Sequence, residues 1–187
     1  MNIGFAMCGS FCTFDAVFPV LETLTQTHTM IPIFSCSASS IDSRFGAARE
    51  HIRTITELCG CPPLSTIAEV EPIGPKKLLD ALIIAPCTGN TLAKLAHSIA
   101  DTPVTMAAKS HLRNGRPILI AVSTNDALAG AAENIGKLLA RKHYYFVPFG
   151  QDDAVEKPCS LMADFSKIGE TVEAALAGKQ LQPILLR

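Results

Sequence analysis

The sequence has no tryptophan, and only 6% of its residues are aromatic. A nucleic-acid surface that stacks bases on aromatic rings is therefore not expected. Basic residues are not in excess either, because 16 lysines and arginines stand against 17 aspartates and glutamates and give a formal net charge of -1. Such a balance gives no broad attraction to nucleic acid or to an anionic membrane, so an anionic ligand must be bound by a local group of donors.

No apolar run approaches the roughly 20 residues that cross a bilayer. Residues 1–8 also lack the basic residues that precede the apolar part of a secretory signal, so we expect a cytoplasmic protein. The seven cysteines are an odd number and are scattered through the chain, which favours reduced thiols over a disulfide framework. Neither Cys59 and Cys61 nor Cys8 and Cys12 have a second pair at zinc spacing, so no metal site is expected.

The order of apolar segments predicts the fold. With 187 residues, 48% of them hydrophobic, the chain has enough material for one core, and we expect a single domain over residues 1–187. Several apolar runs lack alternation, as strands do when helices cover both faces of a parallel sheet. Strands are predicted at 2–8, 29–34, 81–85, 117–122 and 144–149, and helices at 13–25, 44–59, 92–100, 103–114, 127 to about 141, and 161–176. This alternation predicts an α/β fold with one doubly wound, mostly parallel, Rossmann-like sheet and helices on both faces.

Segment 60–77 holds four prolines and two glycines, so it is predicted as a surface crossing that could carry a short strand near 65–70. Four other segments turn polar directly after a predicted strand: 9–10, 35–40, 86–91 and 123–126. Loops that follow successive parallel strands meet at one edge of the sheet, so these segments predict a crevice for a phosphate and a polar heterocycle. For any single loop the alternative is that serine, threonine and asparagine serve only as turn and helix-cap residues.

Residues 86–91, Pro-Cys-Thr-Gly-Asn-Thr, resemble the Pro-Ala-Ser-Ala-Asn-Thr loop of the homo-oligomeric flavin-containing Cys decarboxylase fold family, which also includes flavin prenyltransferases. Residues 9–10 and 34–37 resemble the phosphate-binding turns of that family. Residues 123–125, Ser-Thr-Asn, stand where the family has Pro-x-Met-Asn, so Asn125 is retained and Ser123 replaces the proline. The resemblance covers nearly the whole chain. Within the family it is strongest, through segments such as 107–115, to the flavoprotein-like component of a sporulation enzyme.

The resemblance implies an FMN site. Ser10 and Ser37 are expected to hold the phosphate together with nearby backbone amides. Thr88, Asn90 and Asn125 are expected to reach towards the ribityl chain and the ring, with Asn125 as the candidate catalytic residue. The complete set of candidate cofactor-binding residues is Gly9, Ser10, Thr13, Ser35, Ser37, Pro86, Thr88, Gly89, Asn90, Thr91, Ser123, Thr124 and Asn125.

The same resemblance implies an oxidoreductase subunit. It would form a homo-oligomer, act with an NAD(P)-dependent partner subunit, and oxidise a dihydro form of pyridine-2,6-dicarboxylate to the aromatic acid in the mother cell of a spore-forming bacterium. A flavin-dependent decarboxylase or prenyltransferase acting alone is one alternative. It is disfavoured because the family's decarboxylases use a histidine before the 81–85 strand, and residues 68–77 contain none. A non-catalytic protein that assembles the dehydrogenase partner is the other alternative.

A dicarboxylate substrate requires cationic partners. The basic residues nearest in sequence to the predicted crevice are Lys94, Lys109, Arg113, Lys76 and Lys77. Each of them could instead be a solvated charge on a helix face.

Overall fold

The computed structural model describes residues 1–186, and its centre is one mixed sheet. The strands are β1 (Asn2–Met7), β2 (Thr29–Phe34), β3 (Ala81–Cys87), β4 (Ile118–Thr124), β5 (Tyr144–Phe146), β6 (Phe149–Gly150) and β7 (Leu161–Ala163). Their order is β2-β1-β3-β4-β7-β6, and β5 lies beside the first half of β4. The first five strands run parallel, whereas β7 runs antiparallel to both β4 and β6. The predicted α/β class and the mostly parallel sheet are confirmed.

Helices cover both faces of this sheet. They are α1 (Phe14–Thr25), α2 (Cys36–Ser40), α3 (Ala48–Cys59), α4 (Ile67–Val70), α5 (Gly89–Ala96), α6 (Pro103–Leu112), α7 (Ala132–Leu139) and α8 (Ile168–Leu176). In one group, α1 packs against α3 and against the turn before α8. In the other group, α6 packs against α4 and α5, and α7 packs against α5. No helix within residues 1–186 is long and apolar enough to cross a membrane.

The two central strands explain the sequence pattern. Every residue of β3 is buried, and β4 is buried from Ile118 to Ser123. A strand enclosed on both faces has no side that needs polar residues, so its sequence does not alternate. Each leucine or isoleucine removed from water here contributes about 1.5 to 3 kcal/mol. These strands form the rigid base from which the polar turns project.

Several predicted boundaries and one predicted element in the first two thirds of the chain were wrong, and among them is the start of α3, which lies at Ala48 and not at residue 44. β3 continues through Pro86 to Cys87 instead of ending at Ala85. Helix α5 begins at Gly89 and ends at Ala96, earlier than predicted, and Ser98 just beyond it has a φ of 58°. The segment near 65–70 forms α4 and not a strand. There the Glu69 carboxylate accepts hydrogen bonds from the Thr66 backbone N–H and hydroxyl, a capping box that starts a helix.

The last third differs most from the prediction. The expected strand 144–149 is divided into β5 and β6, and residues 161–163, predicted as the start of a helix, form β7. Leu161 and Ala163 are buried while Met162 is partly exposed, which is the alternation of a strand, but three residues are too few to reveal it in sequence. Helix α7 also starts at Ala132 and not near 127. Because β7 pairs with the end of β4, the 151–160 loop is placed beside the predicted crevice.

Candidate functional site

Two adjoining cavities lie where the polar turns meet. The first has a volume of about 370 Å³ and is lined by residues of the β1, β3 and β4 turns together with Asp152, Lys157 and Ser160. The second has a volume of about 380 Å³ and is lined by residues of the β1, β2 and β3 turns. Gly9 and Thr88 line both cavities, so the two form one continuous crevice. Each volume falls in the range of small-molecule sites, about 300 to 1,000 Å³.

Direct contacts hold the turns together. The Ser10 and Ser123 hydroxyl oxygens are 2.7 Å apart, which joins the β1 turn to the end of β4. A Cβ on Gly9 would lie 3.2 Å from Cβ of Ser37, so the β1 and β2 turns are in close contact. A Cβ on Gly89 would lie 2.7 Å from Asp126 Oδ1, a separation that real side chains do not adopt. The two glycines therefore permit the turns to approach each other, and the turns that form the walls of the crevice pack closely together.

Some of the predicted site residues are helix caps. The Thr88 hydroxyl accepts a hydrogen bond from the Thr91 N–H at the start of α5, and the Ser35 hydroxyl accepts one from the Ala38 N–H at the start of α2. By contrast, Ser37 and Asn90 line the second cavity and their side chains form no hydrogen bond with another residue of the described chain. The helix-cap interpretation is therefore confirmed for Thr88 and Ser35, while ligand binding by Ser37 and Asn90 stays a prediction. The uncommitted hydroxyl and carboxamide are the groups free to meet a ligand.

The structure also shows where each predicted residue lies. The first cavity is lined by Gly9, Ser10, Thr13, Thr88, Ser123, Thr124 and Asn125, and the second by Gly9, Ser35, Ser37, Thr88, Asn90 and Thr91. Pro86 and Gly89 line neither. Pro86 is buried in β3, where its carbonyl accepts the Cys8 N–H, and Gly89 packs against the turn after β4. These two shape the crevice without facing it.

The loop between β6 and β7 adds residues that the sequence analysis missed. Asp152 and Lys157 form an ion pair at 3.3 Å on the wall of the first cavity, and the Lys157 side chain is half exposed. The Ser160 hydroxyl donates a hydrogen bond to Asn125 Oδ1 at 3.4 Å. Burial acts to raise the pKa of Asp152, but hydrogen-bond donors around its carboxylate and the Lys157 ammonium group outweigh burial and leave that pKa below its usual value. The sequence did contain one signal for this loop, since Gly150-Gln151-Asp152 is a polar segment directly after the predicted strand 144–149, as the other crevice loops are.

The predicted cations are distributed differently from the expectation. Only Lys94 lines the crevice, and its ammonium group is paired with Asp101 at 2.8 Å. Lys109 and Arg113 line a separate cavity, while Lys76 and Lys77 line none of these three cavities. Distance in sequence was a poor guide because α6 turns away from the crevice after its first residues.

Two thiols lie beneath the crevice. Cys8 and Cys87 are fully buried, and the Thr91 hydroxyl donates a hydrogen bond to Cys8 Sγ at 3.3 Å. Burial raises the pKa of Cys8 to about 11 and also raises the pKa of Cys87, so both thiols stay protonated at neutral pH and neither is a nucleophile. Within residues 1–186 no group of three or more histidine, cysteine or acidic side chains could hold a metal ion.

Comparison with known proteins settles the family. A family model described as Flavoprotein matches residues 1–176. This chain belongs to the flavoprotein family. The B subunit of dipicolinate synthase from Bacillus subtilis (strain 168) is 43% identical to this flavoprotein over 186 residues, 99% of this chain and 93% of that protein. The crystal structure of the corresponding B subunit from Bacillus halodurans C is 42% identical and has a TM-score of 0.91, covering 100% of this chain and 96% of that one. The resemblance found in the sequence is confirmed.

More distant structures share the fold of this flavoprotein. The FMN-dependent cysteine decarboxylase SpaF is 24% identical, with a TM-score of 0.70 over 94% of this chain and 97% of its own. The crevice residues themselves fit a mononucleotide flavin. Gly9 carries no Cβ where the β1 and β2 turns meet, the uncommitted hydroxyl and carboxamide donors are neutral, and no acidic residue among 1–186 lines the second cavity. An anionic ligand therefore meets no repulsion there.

Proposed function

We propose that this flavoprotein is the FMN-binding subunit of a dipicolinate synthase. In this proposal it acts with the A subunit of that enzyme, a nicotinamide-dependent partner, to oxidise a dihydrodipicolinate intermediate to dipicolinate during sporulation. One observation carries the proposal. The two relatives named as the B subunit of dipicolinate synthase align over at least 99% of this chain, and the crevice of neutral donors lies within that alignment.

The residues divide the work of holding FMN. Gly9 and Ser37 hold the phosphate from the second cavity, where the Ser37 hydroxyl and the β1 turn come together, and Ser10 approaches it from the first cavity on the other side of Gly9. Thr88 and Asn125 face the ribityl chain and the ring from the first cavity. When bound, FMN supplies a two-electron acceptor. The chain's own task is to exclude water and to orient the substrate so that its reacting C–H would be presented to such an acceptor.

The reaction removes two electrons and two protons from a ring that becomes aromatic. The substrate gives up a hydride from carbon and a proton, and no carbon–carbon bond breaks. Asn125 and Ser160 are the neutral polar groups that orient the ring, and their mutual hydrogen bond fixes the Asn125 carboxamide. Release of carbon dioxide in place of this oxidation would identify a decarboxylase and overturn the proposal.

We place the protein in the cytoplasm of the mother cell, as a homo-oligomer bound to its partner subunit. The relatives' designation as one lettered subunit of an enzyme supports a companion subunit. A dodecameric FMN-dependent UbiX-like decarboxylase from Escherichia coli O157:H7 with the same fold, at a TM-score of 0.62 and 22% identity, supports self-association.

Replacing Ser37 by alanine tests the phosphate site. The variant should bind FMN about 10- to 100-fold more weakly, because a hydrogen bond to a charged group is worth about 1.5 to 3 kcal/mol. Riboflavin, which has no phosphate, should bind both proteins equally. Quenching of flavin fluorescence measures both affinities.

The matched control for this variant is Ser39→Ala on the same short helix, where the hydroxyl bonds only the Cys36 carbonyl and does not line the crevice. It should leave FMN binding unchanged. Absence of saturable FMN binding by the folded wild-type protein would refute the flavin site.

Replacing Lys157 by glutamine tests the substrate contact. Lys157 is the cation on the wall of the first cavity, so it is our candidate for a substrate carboxylate. The variant should lower kcat/KM of the reconstituted two-subunit enzyme by about 10-fold or more, in keeping with a lost charge-assisted hydrogen bond. FMN affinity should not change. Unaltered turnover would remove Lys157 from the site.

A further inference from the structure

A third cavity lies apart from the crevice. It has a volume of about 300 Å³ and is formed by α6, by the segment that follows α5, and by the chain between α7 and β5. None of its lining residues lines the crevice. The proposed function uses none of these residues, so the cavity requires its own explanation.

The cavity carries positive charge without an acidic counterpart. Lys109 lies in the last turn of α6 and Arg113 directly follows the helix in helical conformation, so the two side chains, four positions apart, are neighbours on one face. Neither forms an ion pair with another residue of 1–186. Arg141, from the chain between α7 and β5, lines the same cavity, and no aspartate or glutamate of residues 1–186 is among the lining residues. An anion would therefore be attracted by cations from two segments of the chain.

Arg141 is held in position before any ligand arrives. Its guanidinium donates hydrogen bonds to the Leu95 carbonyl at 3.1 Å and to the Ala96 carbonyl at 2.6 Å, at the carboxyl end of α5. A positive charge at a helix C-terminus is favourable because the last carbonyls have no partner within the helix. A cation already fixed by the protein loses little conformational entropy when a ligand binds.

The rest of the lining is largely apolar. Leu95 and Tyr144 are buried, and Leu112 and Ile99 complete the walls. The Tyr144 hydroxyl has no hydrogen-bond partner within the described chain, and burial raises its pKa, so it remains a donor. Apolar walls with a few convergent polar groups are the usual composition of a small-molecule site.

We propose that this cavity is a second ligand site, and that it binds small aromatic carboxylates. The ring would lie against the leucine side chains and the Tyr144 ring, and the carboxylate would meet Lys109 and Arg113. A flat ring with one or two carboxylates fits a cavity of about 300 Å³.

Calorimetric titration with benzene-1,3-dicarboxylate tests the site. This probe has the shape of an aromatic dicarboxylate, and it lacks the ring nitrogen that would chelate metal ions. The wild-type protein should bind it saturably, and Lys109→Gln/Arg113→Gln should weaken binding by at least 10-fold. Both residues are exposed at the surface, so the variant is expected to fold. Lys157→Gln, which removes the cation from the wall of the first cavity, should leave this binding unchanged, whereas weaker binding by Lys157→Gln would assign the probe to the crevice. Lys76→Gln/Lys179→Gln makes the same change in net charge at exposed positions outside the cavity and should bind as the wild type does.

A second titration separates this site from the crevice. Saturation with FMN should leave the dissociation constant for the probe unchanged. The proposal is overturned if the probe does not bind, if Lys109→Gln/Arg113→Gln binds it as tightly as the wild type, or if FMN displaces it. The variant comparison does not depend on flavin binding, so failure of the proposed FMN site and failure of this second site give different results.

Discussion

Replacing Gly9 by valine is expected to lower FMN affinity by about 30-fold or more. The new Cβ would lie 3.2 Å from Cβ of Ser37 and 3.8 Å from the Phe11 ring, and the valine methyl groups would extend into the two cavities that meet at this position. Overpacking of this kind costs about 1 to 3 kcal/mol, and about 2 kcal/mol corresponds to a 30-fold change in binding. Fluorescence titration with FMN measures the loss.

The control is Gly136→Ala on α7, where an added Cβ meets nothing within 4 Å. Because glycine inside a helix costs about 0.5 to 1 kcal/mol relative to alanine, this variant should be slightly more stable and should bind FMN normally. Gly9 is not among the glycines with a positive φ, so the expected effect of valine comes from its added volume and not from a left-handed backbone. Normal FMN binding by a folded Gly9→Val protein would exclude the β1 turn from the site.

The architecture could be predicted because its signals are local. The unbroken apolar run in β3 and the polar residues directly after it follow from one physical fact, that a central parallel strand is buried along its length and ends at a loop edge. The order of strands and helices then determines the class of fold. The edge at which the polar turns assemble follows from the parallel direction of β1 to β4.

The contacts within the crevice could not be predicted in the same way. The Ser10 and Ser123 hydroxyls are 113 positions apart in the sequence, and no local pattern pairs them. The close approach at Gly89 to Asp126 depends on the loop geometry after β4. The interactions that join the turns are therefore visible only in three dimensions, although the turns themselves are visible in the sequence.

A short strand and the direction of a helix account for the remaining errors in predicting which residues line the crevice. β7 has only three residues, and its pairing with Ser123 and Thr124 brings Asp152 and Lys157 to the crevice, although neither follows a parallel strand. Lys109 looked close to the crevice in sequence, but the direction of α6 takes it to the third cavity. The loop between β6 and β7 can be assigned to the crevice with certainty only when the pairing of β7 with β4 is known.

The other large effect concerns stability at low pH and comes from His111. This side chain is completely buried in α6, its Nε2 lies 3.1 Å from the Pro117 carbonyl, and its Nδ1 has no partner within residues 1–186. Burial lowers the pKa of His111 from 6.5 to about 4, with a further contribution from Arg116 opposed by the Pro117 hydrogen bond and by Asp80. The unfolded chain therefore takes up a proton at His111 at a higher pH than the folded protein does. The folded protein has its full stability above pH 6.5, where His111 is neutral in both states, and it loses part of that stability as the pH falls towards 4.

A shift from 6.5 to about 4 corresponds to about 3 kcal/mol of unfolding free energy between neutral pH and pH 4. His111→Gln keeps an N–H donor for the Pro117 carbonyl but cannot take up a proton in this range. Urea unfolding at both pH values should show a decline in stability that is smaller by about 3 kcal/mol in this variant. His97→Gln is the control, because it removes an exposed histidine just after α5 and leaves His111 in place. The free energy of unfolding of this variant should fall between neutral pH and pH 4 by as much as that of the wild type. Equal declines in all three proteins would show that acid destabilisation originates elsewhere.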